Sequence, residues 1–181
     1  MPILAAVFAL LMSACGGAKD TGYEMVAPAS IGLTEVIPSP SQEMVLSISG
    51  QVAAKNTVDS LELDMRTLEK LGLVKYEVHD PWLKQTFTYT GVLMSDILKY
   101  AGAFHTARSV HMVALDDYQV DIPIADIDRW PILLATRANG ELMKVDNYGP
   151  LRIIYPYGSH SIDSVSHNDL WIWSLKSMEV R

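Results

Sequence analysis

The chain has 181 residues, 49% of them apolar, with 14 Lys and Arg against 21 Asp and Glu and a single cysteine. That length favours one compact domain, and a net charge of −7 leaves no basic surface to neutralise a phosphate backbone, so nucleic acid is excluded as a natural partner. One cysteine rules out an intrachain disulfide framework, a cysteine-based zinc site and an iron–sulfur cluster.

That cysteine is Cys15, directly behind an uncharged apolar run, Ile3 to Met12. As a helix the run would cover only about 15 Å, roughly half a bilayer core, so it is too short to span a membrane. It suits the apolar core of an export signal, with small residues at the cleavage site. Met12-Ser13-Ala14-Cys15 resembles the lipobox of bacterial lipoproteins. The resemblance implies a signal peptide over residues 1–14, lipidation at Cys15 and a periplasmic, membrane-anchored lipoprotein. The competing reading makes Ile3–Met12 a buried element, but Gly16-Gly17 and a polar stretch follow where a packing partner would be needed.

Residues 15–42 carry Gly16, Gly17, Gly22, Gly32, Pro28, Pro38 and Pro40 and show no sustained period, which is the composition of a tether. Flexible throughout, such a stretch would reach roughly 30 Å and hold the domain clear of lipid headgroups. Met25, Val26, Ile31, Leu33, Val36 and Ile37 give parts of it the means to pack on the domain instead.

From residue 43 to 181 the pattern is that of a folded domain. Met44–Ser49 reads as a strand ending at Gly50, and Leu61–Leu63 as a second. Asp64 is placed to cap a short helix over Met65–Leu71, stopped by Gly72. Val74–Val78 and Thr86–Thr90 are strands separated by a turn at Pro81, and Ser95–Ala101 is a helix ended by Gly102. Val110–Ala114 and Gln119–Ile122 form a hairpin, with a helical turn over Ile124–Arg129 behind Pro123. Ile132–Thr136 leads into Asn139-Gly140, a dipeptide suited to the two positive φ values of a type I′ turn. Leu151–Tyr155, Leu170–Leu175 and Ser177–Val180 complete the strands. Short strands mixed with a few short helices predict an α+β domain built on mixed sheets.

Gly91-Val92-Leu93, Asp117-Tyr118, Leu133-Leu134-Ala135, Asn139-Gly140-Glu141-Leu142, Gly149-Pro150-Leu151-Arg152 and Trp171-Ile172-Trp173 occur in the order seen in the sulfite-oxidase-type molybdopterin-binding domain. The resemblance covers about Leu46 to Val180 and implies that fold, with molybdopterin as the family's cofactor and oxidoreductase chemistry as its activity. In catalytic members a cysteine thiolate ligates molybdenum, as a soft ligand suits a redox metal. Counting back from Thr90-Gly91-Val92 places that cysteine near His79, in Val78-His79-Asp80-Pro81-Trp82, where this chain has none. It thus resembles the small, exported, cysteine-less branch of the family, for which no bound cofactor is expected.

The resemblance also implies an anion site. Arg152 matches the arginine that holds the pterin phosphate, Asn147 stands where the family carries His or Asn, and Ser159 and His160 lie in the phosphate loop. His79 is a replacement metal ligand on one reading and an ordinary loop residue on the other, with Asp80 opening a turn and Trp82 over the pocket mouth. Independently of family, Arg152 lies in an apolar strand and needs an acceptor. That acceptor is either an anionic ligand or an internal partner, Asp146, Asp116 or Asp117. A Ser159–His160–Asp163 triad is too local in sequence to converge, and no nucleophile elbow is present. Trp171 and Trp173 fall on one face, for packing or for stacking, and Tyr118 closes the core beside a turn.

The function expected is therefore a tethered, non-catalytic module that binds a small anionic ligand or a membrane protein partner such as a sensor. The alternative is an active molybdopterin-dependent oxidoreductase subunit with a non-cysteine metal ligand.

Overall fold

The computed structural model describes residues 22–157, 160, 162 and 167–181. Cys15, Ser159 and Asp163, and the export and lipidation signals with them, lie outside the described residues.

Eleven strands and three short α-helices are described, in two sheets. The strands are β1 (Glu24–Ala27), β2 (Met44–Gly50), β3 (Leu61–Asp64), β4 (Leu73–Asp80), β5 (Gln85–Leu93), β6 (Ser109–Ala114), β7 (Gln119–Pro123), β8 (Leu133–Ala138), β9 (Glu141–Leu142), β10 (Arg152–Ile154) and β11 (Leu175–Val180). The helices are α1 (Met65–Glu69), α2 (Met94–Ala101) and α3 (Ile124–Arg129). One sheet runs β1-β4-β5-β8-β10, with β9 added to β8, and the other runs β3-β2-β11-β6-β7. Among the described strands only β2 and β11 pair in parallel. The fold is α+β, as the patterning predicts.

One contiguous apolar cluster joins the two sheets, from Leu46 and Ile48 on β2 to Val92 on β5, Leu134 on β8 and Ile153 on β10. The segment after β10 ties them: the Ile153 N–H donates to the Ile172 carbonyl at 3.0 Å and the Leu175 N–H to the Leu151 carbonyl at 3.0 Å.

Local signals explain most of the boundaries. The Asp64 carboxylate accepts the Thr67 N–H at 2.8 Å and caps α1, while Gly102 ends α2 in the left-handed conformation with φ 63°. Asn139 and Gly140, at φ 51° and 85°, turn β8 into β9. Gly91 sits at a β-bulge where a Cβ would come within 2.0 Å of the Leu134 carbonyl oxygen, so only glycine admits this strand pairing.

Three expectations are corrected. Residues 22–42 are not a free tether: β1 pairs antiparallel with β4, Ile37 is buried, and the Tyr100 hydroxyl donates to the Ile31 carbonyl at 2.7 Å, so the folded unit begins well before residue 43. Backbone pairing with β4 and the burial of Ile37 hold this stretch, while Met25, Val26, Leu33 and Val36 stay exposed. The strand expected over Leu170–Leu175 is absent; Asn168–Leu170 is a 3₁₀ turn, Ser174 takes φ 51°, and pairing starts only at Leu175. Tyr118 does not close the core, being 44% exposed.

Candidate functional site

Strand β4 alternates strictly at its end, burying Tyr76, Val78 and Asp80 and exposing Glu77 and His79. Asp80 is fully buried, and Arg152 on β10 is 2% exposed. Between them stands Tyr89 of β5, also fully buried. The Arg152 Nη2 donates to Asp80 Oδ2 at 2.8 Å and its Nη1 to the Tyr89 hydroxyl at 2.9 Å. The Tyr89 hydroxyl in turn donates to Asp80 Oδ2 at 3.0 Å. Burial pushes the Tyr89 phenol well above its ordinary range; Arg152 opposes this and Asp80 adds to it, so the hydroxyl keeps its proton for the carboxylate.

The other Asp80 oxygen is also engaged. Oδ1 accepts the backbone N–H groups of Trp82 at 3.0 Å and Leu83 at 2.9 Å, which folds the turn between β4 and β5. Asp80 thus opens the turn as expected and is also the acceptor of Arg152. That acceptor is none of the three aspartates considered from the sequence. The alternation Val74-Tyr76-Val78-Asp80 was the available signal, since it places a carboxylate in the buried phase of a strand.

Aromatic rings enclose the guanidinium. Its Cζ lies 5.0 Å from the Trp173 ring, 5.4 Å from Tyr89 and 5.8 Å from Tyr148. Tyr148 packs on Trp173 at 4.3 Å, and these two rings separate a pair of hollows. The first, about 270 Å³, is lined by Arg152, Tyr89, Asn147, Tyr148, Leu83 and Phe87 among others. The second, about 280 Å³, is lined by Trp82, Trp171, Trp173, Tyr118, Asp116, Asn168 and Asp169. Both fall just below the roughly 300–1,000 Å³ typical of small-molecule sites.

Of the residues expected at the site, Arg152 and exposed Asn147 share the first hollow. His79 does not join them. It is exposed on the sheet face opposite Asp80, with Thr86 Oγ1 3.4 Å from its Nδ1. His160 lines a separate groove with Gly22, Tyr23 and Glu24, where a Cβ on Gly22 would come within 2.5 Å of its ring. Trp82 stands at the rim of the second hollow rather than over Arg152.

The molybdopterin cofactor of such domains needs a soft ligand for the metal and a cation for its phosphate. The only thiol of the chain is Cys15, outside the domain, and the described residues contain no group of three His, Cys, Asp or Glu that could hold a metal ion. Arg152 already holds a carboxylate at hydrogen-bond distance, which occupies the position an incoming anion would take. Its Nε is also buried, with no partner among the described residues. These residues do not fit the cofactor, and no reaction step through it is derived.

Comparison with known proteins agrees with the architecture. No curated protein matches the sequence. Among solved structures that match is the sulfane dehydrogenase SoxCD from Paracoccus pantotrophus, with a TM-score of 0.57 and 16% identity, covering 75% of this chain and 37% of that one. At that identity the likeness is one of fold, and this chain spans little more than a third of the neighbour's length. The family described as oxidoreductase molybdopterin binding domain matches residues 36–167. On that match, over most of the described fold, the chain belongs to the molybdopterin-binding oxidoreductase domain family.

Proposed function

We propose that the chain is an exported lipoprotein whose molybdopterin-type domain works as a non-catalytic binding module for a small molecule or a membrane protein partner. The observation that carries this reading is the Arg152–Asp80 pair, closed at 2.8 Å in full burial. Where a cofactor-loaded domain keeps a cation for phosphate, this one has balanced the charge internally and bonded the guanidinium to a tyrosine as well. The reason to expect an anionic ligand at Arg152 falls with it.

The anchor adds a geometric consequence. Eight residues, 16–23, separate Cys15 from Glu24, where β1 begins. The nine Cα–Cα steps span at most about 32 Å when fully extended, so the reach expected as an average for a free tether over residues 15–42 becomes the upper limit for a lipid on Cys15, and the domain would stay nearer the headgroups.

Metal analysis of the purified full chain, paired with a Cys15→Ser variant, tests both parts. The expected outcome is molybdenum far below one per chain, and a variant that moves from the membrane to the soluble fraction. Stoichiometric molybdenum with substrate-dependent electron transfer would establish the oxidoreductase alternative instead.

A further inference from the structure

From the second hollow we infer that the domain binds an organic cation of the substituted-ammonium class, seated among Trp82, Trp171, Trp173 and Tyr118. This rests on the reading of the domain as a binding module and names the ligand class. The rings are walls, not a shelf. Trp82 and Trp171 are 5.1 Å apart and inclined by 45°, while Trp82 and Trp173 are 6.2 Å apart and nearly perpendicular at 82°. A flat sugar ring seeks a coplanar platform, whereas a compact cation gains from π faces converging from several sides.

Charge selects the same class. The lining includes Asp116 and Asp169 and no Lys or Arg. Neither aspartate forms an ion pair among the described residues. Asp116 holds the Tyr118 N–H at 3.1 Å, and the Tyr118 hydroxyl donates to the Asp169 carbonyl at 2.8 Å, so the tyrosine is braced at the wall. Two neighbouring cations are already balanced. Arg152, behind Trp173, is paired with Asp80, and Lys176 is paired with Asp117 at 2.8 Å.

Two wall residues carry unmet hydrogen-bonding atoms. Trp171 is 5% exposed, and its Nε1 and Asn168 Oδ1, both sealed within the wall, have no hydrogen-bond partner among the described residues. Trp82 and Tyr118, at 39% and 44% exposure, leave the hollow accessible from solvent.

The test is a tryptophan-fluorescence titration of the full chain with choline, against its neutral isostere 3,3-dimethylbutan-1-ol. The expected result is saturable quenching by choline with at least about a tenfold preference over the isostere. Asp169→Asn should weaken choline several-fold without changing the response to the isostere. Trp82→Ala, at a half-exposed position, should retain the far-ultraviolet circular dichroism of the parent and lose at least about tenfold in affinity, with Trp82→Phe recovering part of it. Equal affinity for the isostere, saturable binding of a neutral oligosaccharide in its place, or no saturable response to millimolar choline would each overturn the assignment. Molybdenum content decides the underlying module reading separately, so the two failures are distinguishable.

Discussion

Among the described residues two carboxylates are fully buried, Asp64 and Asp80, and they are made tolerable in different ways. Asp64 is surrounded by neutral donors: the backbone N–H groups of Ser41, Gln42 and Thr67 and the Ser41 hydroxyl, at 2.8 to 3.2 Å. Burial alone would raise its pKa, yet these bonds outweigh it and hold the carboxyl well below its ordinary 3.8. Asp80 meets a full countercharge, with a tyrosine shared between the two. The first arrangement staples a loop to a helix N-terminus. The second closes a buried guanidinium with one of the protein's own anions. Burial of an aspartate therefore says little about function until its donors are identified.

The contrast is sharpest when each charge is removed in turn. Asp80→Asn keeps an oxygen for the Trp82 and Leu83 N–H groups but leaves Arg152 as an uncompensated buried cation. Urea unfolding should show a loss of about 3–5 kcal/mol. The double variant Asp80→Leu/Arg152→Met should recover most of it, since a well-packed apolar pair can replace a buried ion pair. If the double variant is no more stable than the single, the turn bonds to Trp82 and Leu83, which Leu cannot accept, weigh as much as the relief of the stranded charge.

Asp64→Ala should cost about 2–3 kcal/mol, combining a lost helix cap with stranded donors. The pH dependence follows from the depressed folded-state pKa: the contribution of Asp64 is full above about pH 5 and lost as pH falls through about 4 and below. The acid limb of the parent's stability curve should therefore be steeper than that of Asp64→Ala. Equal slopes would show that other carboxylates dominate. The smallest effect belongs to Tyr89→Phe, which leaves Arg152 Nη1 without an acceptor and should cost about 1–2 kcal/mol by the same measurement.

The difference between these sites also governs what could be read in advance. Asp64 three residues before Thr67 is a local cap, and Gly102 and Asn139-Gly140 are equally local, so the sequence announces them. The Asp80–Arg152 pair joins β4 to β10 across 72 residues, and no spacing rule reaches that far. What was legible was each half separately: an arginine in an apolar strand, and a carboxylate in the buried phase of β4. The aromatic hollow was legible only as the pair Trp171 and Trp173, because Trp82 and Tyr118 arrive from distant turns. The resemblance pointed correctly to the fold, but it named the residue that would hold a phosphate without showing that a neighbour had taken the place.

The parallel pairing of β11 with β2 sets the order in which this molecule can assemble. Ser47 must meet Ser177, and the same strand also pairs with β6. The middle of the second sheet therefore stays unzipped until nearly the whole described chain is available. Contacts of such long sequence separation incur loop-closure entropy before any burial compensates it, and slow folding is the usual result. Until β11 arrives, β2 and β6 expose two apolar, unsatisfied edges. A chain with this topology gains from a holding chaperone in whatever compartment it folds.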